Sequence, residues 1–396
     1  MKPVNISIID FDYDLPDDKI AKYPLEQRSG SKLLFYKDGN IGHKQFNDLS
    51  NLLSNNTLLV FNNSRVIEAR LKFKKDTGAE IEVFLLNPSN NENATKGLDA
   101  KGQSSWECMI GNKKRWSENE ELTLSKGKCT LVAKWKNRDN DIVQFEYPSN
   151  ISLQEIIHEL GSLPIPPYLN RPTEEIDLIR YQTSFAKFNG SVAAPTAALH
   201  FDENIYHEFQ QKGITCQYLT LHVGAGTFKP ISAENALDHI MHGEYIIYSR
   251  EFIQSLIVHN GPVVAVGTTS FRSLESLYWF GVGLHEKLLS YFHIDQYFPF
   301  IIPNNTLTGK ESLTIVLDWM DKNNMQTLEG TSSIYIVPGY KPKMVIGIVT
   351  NFHQPQSTLL LLIAALIGDD WKRVYTTALE NNYRFLSYGD SSLLLF

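Results

Sequence analysis

VIGIVTNFHQPQSTLLLLIAALIG (345–368) carries the sharpest change of pattern in the chain. An apolar run stops at Thr350, Asn351 and His353, a polar turn follows, and a very apolar stretch of helical length restarts behind Ser357 and Thr358. A buried strand feeding a buried helix in this way belongs to an α/β layer. VVAVGTTSFRSLES (263–276) repeats the strand-to-helix form. YLTLHVGAGTF (218–228) ends a strand on glycines, and GSVAAPTAALHF (190–201) runs through Pro195 and Thr196 into a short helical run. Polar and glycine residues at the ends of apolar strands mark a pocket at the carboxyl edge of a sheet, where α/β proteins bind ligands. They argue for an enzyme.

The pattern changes near residue 64. NNTLLVFNNSR (55–65) reads as a buried strand ending in Asn62, Asn63 and Ser64. Short alternating stretches follow at 68–74, 80–86, 106–110, 121–125, 129–135 and 142–147, separated by Gly, Asn, Asp and Lys turns. Many short strands at such spacing predict a small barrel or sandwich. Residues 87–104 read as a mobile hairpin loop. From ISLQEIIHELG (151–161) onward, strands and helices alternate to the end. The expected fold is an α/β protein with a largely parallel sheet and an inserted small all-β barrel. Its parts are an N-terminal piece of the α/β domain (1–64), the barrel (65–151) and the main α/β catalytic domain (152–396).

With 396 residues, 42% hydrophobic and 20% charged, the chain suits a globular protein with a sizeable core. The net charge of −7 argues against a generally cationic nucleic-acid binder. Yet residues 65–138 hold fifteen Lys and Arg against ten Asp and Glu. This excess reads either as a solvated barrel surface or as a phosphate-contacting surface comprising Arg65, Lys72, Lys74, Lys113, Lys114 and Arg115. Cys108, Cys129 and Cys216 are sparse and unpatterned, which fits a reducing compartment. The start is acidic and lacks a signal-peptide core, and the apolar run 359–367 is too short to span a bilayer. A cytoplasmic protein, monomeric and free of membrane, is expected.

The candidate chemistry lies in the four segments. Thr268, Thr269 or Ser270 can cap a helix carrying Arg272 and Glu275, and free N–H groups at its start suit a carboxylate or phosphate. Gly224 and Gly226, with Thr227 beside them, allow close backbone approach to a ligand, or mark only a turn. Thr196 can cap the run ending at His200 and Phe201; Ser357 or Thr358 can cap the helix after Asn351 and His353. His200, His222, His242 and His353 lack metal-binding spacing, so no metal is expected. His242 and Glu244, two apart, would share a strand face and allow an acid/base pair, or an ordinary hydrogen bond.

Taken in order, DYDLPDDKIAKYPLEQRSGSKLL (12–34), LLVFNNSRVIEARL (58–71), LPIPPYLNR (163–171), RYQTSFA (180–186), VAAPTAALHF (192–201), LHVGAGTF (221–228), DHIMHGEY (238–245), VGTTSFRSLES (266–276), IVPGY (336–340), TNFHQPQSTLL (350–360) and YRFLSYGD (383–390) resemble the S-adenosylmethionine:tRNA ribosyltransferase-isomerase family of queuosine biosynthesis, nearly end to end. The resemblance implies an α/β domain with an inserted β-barrel. It also implies transfer and isomerisation of the ribosyl group of S-adenosylmethionine onto 7-aminomethyl-7-deazaguanine at the tRNA wobble position. The products would be epoxyqueuosine, adenine and methionine. S-adenosylmethionine would be a co-substrate with no tightly bound cofactor, and the partner would be a tRNA anticodon stem-loop whose wobble base leaves the stack. Under that chemistry a base removes a ribose C5′ proton acidified by the sulfonium, and His222, His242, Glu244 and His353 are the candidate acids and bases. Arg272 with the Thr268–Ser270 helix start suits the methionine carboxylate. Tyr181, Gln182 and Phe201 suit the deazaguanine. Pro195, Thr196, His200, Gly224, Gly226, Thr227, Thr269, Glu275, Asn351, Ser357 and Thr358 complete the expected substrate site.

The chain departs from the family pattern at Ala198, in place of Gly, near the expected pocket; at Gly243, in place of Ser; at Ala79, in place of Lys; and at Gln354, in place of Leu. It is expanded between residues 281 and 333, where the stretch 291–302 can be core, partner surface or lid. A paralogue acting on another nucleobase and a non-catalytic binder on the same fold are the alternatives. A conventional methyltransferase is disfavoured by the absence of a Gly-rich loop after a first N-terminal strand.

Overall fold

The structure, a computed structural model, describes residues 5–89, 94–224, 231, 233–302 and 305–396. A ten-stranded sheet is built from β1 (Lys32–Lys37), β2 (Asn40–Gln45), β3 (Leu58–Asn62), β4 (Thr215–His222), β5 (Glu244–Ser249), β6 (Val263–Val266), β7 (His293–Ile294), β8 (Thr327–Ser332), β9 (Gly347–Asn351) and β10 (Ser391–Leu395). Their order is β7-β8-β5-β4-β3-β6-β9-β10-β1-β2. The central strands β4, β3, β6 and β9 are mutually parallel, and antiparallel pairings appear on both flanks. Every residue of β3 and β9 is buried, which explains their near-continuous apolar composition. Leu58, Leu59 and Val60 lie between strands on both sides, so the 55–65 stretch is the middle of the sheet.

Two helices place the functional loops. α1 (Gly267–His285) follows β6 directly and is buried along most of its length. α2 (Thr358–Ile367) follows β9 across a six-residue turn. The helix Gly309–Lys322 packs against α1, and Gly281 permits it: a Cβ there would fall 2.2 Å from Ser312 Oγ. This helix lies inside the 281–333 expansion, which is therefore structural in large part. Phe292, Ile294 and Phe298 are buried in the main core, while Tyr291 and Ile301 stand 66% and 63% exposed.

The six expected short strands form one antiparallel sheet of Arg70–Lys74, Glu80–Pro88, Gln103–Gly111, Ile142–Glu146, Cys129–Asn137 and Leu122–Lys126, in that spatial order. Its end strands approach each other, giving a nearly closed barrel. The helix Leu153–Leu160, started by a Ser152–Glu155 capping box, covers it with Leu153, Ile156 and Ile157. Gly161 ends that helix; a Cβ there would lie 2.1 Å from Glu68 O. The segment 87–104 joins two antiparallel neighbouring strands, as a hairpin connection does, but the plain loop expected there is corrected. Residues Ala94–Asp99 form a helix whose Ala94 and Leu98 are buried in the barrel core, so apolar anchoring overrides the polar composition there. Among the described residues, no helix is long and apolar enough to cross a membrane.

Candidate active site

The carboxyl ends of β6 and β9 open into a cleft with about 930 Å³ of unfilled space, part of it open to solvent. Gly267, Thr268 and Thr269 at the start of α1 form one wall, and Thr350 to Pro355 with Ser357 and Thr358 form another. Pro195 and Thr196, from the turn before Phe201, close a third side, and Tyr168, Tyr181 and Ser387 a fourth.

Local geometry explains each position. Gly267 adopts φ +86°, the left-handed region that suits glycine, as strand turns into helix. Val266 is the N-cap of α1 and supplies no side-chain cap, which corrects the expected capping by Thr268, Thr269 or Ser270. The first-turn N–H groups therefore keep the potential to meet an anion. Ser357, not Thr358, caps α2: its hydroxyl accepts from Leu360 N at 3.2 Å and donates to Gln354 O at 2.7 Å. Thr196 caps nothing. Its hydroxyl donates to Asn351 Oδ1 at 2.9 Å, while Asn351 Nδ2 reaches His200 Nε2 at 3.4 Å and His200 Nδ1 meets Ser31 Oγ at 3.0 Å. These bonds tie the 195–200 turn to β9 and to the residue before β1, and make His200 a buried structural partner rather than a cleft residue.

Burial sets the proton chemistry. It pushes His353 down to about 3, His200 to about 3 and His222 to about 4, so all three are neutral imidazoles at physiological pH. His353 lines the cleft with Nε2 bonded to Thr350 Oγ1 at 3.0 Å. His222 is not among the residues lining the cleft; it packs against Gly190, and neither ring nitrogen has a hydrogen-bond partner among the described residues. Tyr181 is fully buried at the cleft wall, its hydroxyl unpartnered among the described residues and its pKa raised by burial.

A second cavity, with about 430 Å³ of unfilled space, shares Thr358 and Leu359 with the first. It holds Gly224, Arg272, Glu244, His239 and His242. Arg272 thus stands apart from the helix start it was expected to assist, and pairs with Glu244 Oε2 at 2.7 Å. The expected His242–Glu244 pair on one strand face is corrected: β5 begins at Glu244, and His242 is an exposed residue before it.

Three expected ligand residues serve the scaffold instead. Gln182 holds both backbone groups of Val66, at 3.0 and 2.7 Å. Phe201 packs edge-on against Phe46 and Phe61 in the core. Glu275 accepts from Lys343 N, Met344 N and the Tyr340 hydroxyl, far into the core on α1. Ala198 faces a core cluster rather than the cleft, whereas Gln354 lines it. Gly226 and Thr227 lie outside the described residues. Tyr168, Ser387 and Leu386 line the cleft without having been expected there. Tyr168 and Ser387 are hydrogen-bonded to each other, and Leu386 is held at φ +68°, an uncommon conformation for a bulky residue. LPIPPYLNR and YRFLSYGD, two of the segments that carry the family resemblance, contain all three.

On the barrel, Lys72 and Lys74 stand opposite Glu82 and Glu80 on the neighbouring strand, and Lys113 pairs with Asp141 at 2.6 Å. Lys114 and Arg115 are exposed, as is Arg65, which lies outside the barrel sheet in a separate two-stranded pairing with Asn189. Among the described residues, no group of three or more His, Cys, Asp or Glu side chains is gathered to hold a metal.

A family model described as queuosine biosynthesis protein matches residues 8–394. The chain belongs to the queuosine biosynthesis protein family. Among solved structures it is similar to the S-adenosylmethionine tRNA ribosyltransferase of Thermotoga maritima, at 24% identity over 98% of this chain and 100% of that one, with a TM-score of 0.47. The cleft and its neighbouring cavity are thus features of a queuosine biosynthesis family member, built from segments inside the matched span.

Proposed function

We propose that this family member transfers and isomerises the ribosyl group of S-adenosylmethionine onto 7-aminomethyl-7-deazaguanine at the tRNA wobble position, releasing adenine and methionine. The observation that carries the reading is the cleft at the carboxyl ends of β6 and β9, in a chain matched to the queuosine biosynthesis family from residue 8 to 394. Its walls combine hydroxyl and amide groups with apolar side chains, the character of a small-molecule site. In this reading the uncapped start of α1 and the hydroxyls of Thr196, Thr268 and Thr269 hold the nucleoside. The Tyr181 hydroxyl, buried without a partner among the described residues, donates to a substrate atom.

Of the four residues considered for proton transfer, His353 is the one that lines this cleft. Burial keeps it neutral, the form able to accept a proton, while its depressed pKa limits its strength as a base. A sulfonium-acidified C5′ proton is the step that a positioned but weak base can serve. RNA contacts are assigned to Arg65, Lys114 and Arg115, exposed cations without an ion pair among the described residues.

The test incubates the protein with S-adenosylmethionine and an anticodon stem-loop carrying 7-aminomethyl-7-deazaguanine, followed by mass spectrometry. The added ribosyl-derived mass together with free adenine is the expected result. Adenosylhomocysteine would mean methyl transfer, and an unchanged stem-loop would overturn the reading. His353→Ala is expected to slow single turnover strongly; an unchanged rate would remove it from proton transfer.

A further inference from the structure

We infer that a third cavity, walled by Arg28, Arg180 and Arg384, seats a backbone phosphate of the RNA, resting on the reading that the cleft takes a base from an RNA chain. The cavity has about 280 Å³ of unfilled space, part of it open to solvent, far less than the cleft. Gln27, Ser31, His200 and Ser387 are among its other walls. Three distant segments supply the arginines: the turn Arg28–Gly30 before β1, the end of the helix Glu175–Arg180, and the loop before β10. Arg28 gives Nη1 and Nη2 to the carbonyls of Leu199 and Ile179, at 3.0 Å each, and Arg180 gives Nη1 to Glu26 O at 3.0 Å. Arg180 Nε is buried with no partner among the described residues.

The positive charge here is poorly offset. Arg384 pairs with Asp390 at 3.6 Å, and Asp202 acts on Arg28 only through its field. Asp177, on the helix that ends at Arg180, is spent on Arg171 and the Tyr388 hydroxyl. Burial and then the like charge of Arg180 hold Arg28 below its ordinary pKa. Burial also keeps His200 neutral, with the charges of Arg384, Arg28 and Arg180 adding to it, so all three guanidiniums act on one ring. Like charges held together on carbonyl partners are costly, and an anion between them lowers that cost. The planar forks of guanidinium groups fit phosphate oxygens. Position makes the anion a backbone phosphate. Ser387 lines both this cavity and the cleft, and Arg180 lines this one while the next residue, Tyr181, lines the cleft. A base drawn into the cleft brings its own phosphate with it, so a seat for the charge belongs beside the pocket for the ring.

The experiment measures wild-type affinity, by fluorescence anisotropy, for the anticodon stem-loop carrying 7-aminomethyl-7-deazaguanine. It then repeats the measurement on stem-loops in which one loop phosphate at a time is a neutral methylphosphonate. The expected result is a loss of about tenfold or more at one linkage flanking the wobble nucleotide, with smaller losses at the other loop linkages. In Arg180→Gln that same methylphosphonate should cost about threefold less than in wild type, because part of the contact is already gone. The slope of log affinity against log salt should also fall by about one unit. Inorganic phosphate and S-adenosylmethionine are titrated against both proteins by calorimetry. Equal, small losses at every linkage in wild type would overturn the seat while leaving the RNA reading intact. If no linkage stands out and Arg180→Gln instead loses binding of inorganic phosphate or of S-adenosylmethionine, the arginines serve a free anion or the co-substrate, and the proposal falls. Failure of the unmodified stem-loop to bind wild type would overturn the RNA reading, and the seat with it. Because the linkage series needs no substitution, its result stands even if an arginine variant folds poorly.

Discussion

At the carboxyl edge of the ten-stranded sheet, Asn351, His200 and His353 are buried and Thr196 half-buried, and they are bonded to one another or to the strand that carries them. On the barrel, Lys72 and Lys74 stand in solvent opposite Glu82 and Glu80. The first set is costly to fold unless each group is satisfied, and it is held where a ligand can complete it. The second set costs little and positions nothing, because exposed pairs in high dielectric contribute little. A high local charge count is therefore a weaker sign of a site than a buried polar chain at a sheet edge.

The sharpest way to break that contrast is Asn351→Ala. It leaves Thr196 Oγ1 without its acceptor and removes the amide that faces His200 Nε2. The buried His200 so stranded costs about 1–3 kcal/mol, while the half-buried Thr196 can turn to solvent in the cleft. If the cleft is the reacting site, single turnover should fall about 100-fold or more, equivalent to roughly 2.7 kcal/mol of barrier. Thermal melts run alongside would separate lost chemistry from lost fold. A near wild-type rate in a folded variant would move the site away from the cleft.

Glu275 sharpens the comparison from the other side, being a buried polar group that faces no cleft. Burial lifts its carboxyl from 4.5 to about 7 against the pull of its hydrogen bonds. Between those values the folded protein retains a proton that the unfolded chain has released, so this group's contribution to stability falls as pH rises through that window. Denaturant melts of wild type and Glu275→Gln from pH 4.5 to 7.5 should show the wild type losing stability relative to the variant. Parallel curves would mean that the Lys343 and Met344 N–H groups hold the carboxylate ionised throughout.

Much of this was legible in the sequence, and the reason lies in period and punctuation. The six barrel strands announced themselves because alternation is how a half-buried strand must be written. β3 and β9 did so because parallel strands covered on both faces are apolar throughout. What one dimension could not carry was direction. Glu275 sits three residues after Arg272 on α1, yet one faces the second cavity and the other the 340–344 loop. Gln182 follows Tyr181 directly, yet Tyr181 reaches the cleft and Gln182 serves Val66. The helix at Ala94–Asp99 was hidden for a different reason: two small anchors, Ala94 and Leu98, outweigh an otherwise polar stretch.

A smaller effect is expected at Ser357, where capping and site-building coincide. Ser357→Ala removes the acceptor for Leu360 N and should cost about 1 kcal/mol of stability. The helix α2 is so deeply buried that packing will hold it in place. Catalysis should therefore change less than in Asn351→Ala, and a larger loss of rate than of stability would assign the hydroxyl to the substrate as well.

The smallest effect is expected on the barrel, and it tests whether exposure without a partner matters more than charge number. Lys114→Ala combined with Arg115→Ala should weaken binding of the anticodon stem-loop modestly, about threefold to tenfold. It should also lower the slope of log affinity against log salt by about one unit for each phosphate that the protein no longer neutralises. Lys72→Ala combined with Lys74→Ala removes the same number of charges but from positions already facing Glu82 and Glu80. Its binding should stay within about twofold of wild type, since the carboxylates opposite offset much of the attraction at a phosphate's distance. Equal weakening in the two double variants would show that the barrel acts through its summed field, and the distinction between cations with and without a carboxylate opposite would fall. Weakening in the first alone would place the RNA backbone along the 113–115 turn and make the face bearing Lys72 and Lys74 an ordinary solvated surface.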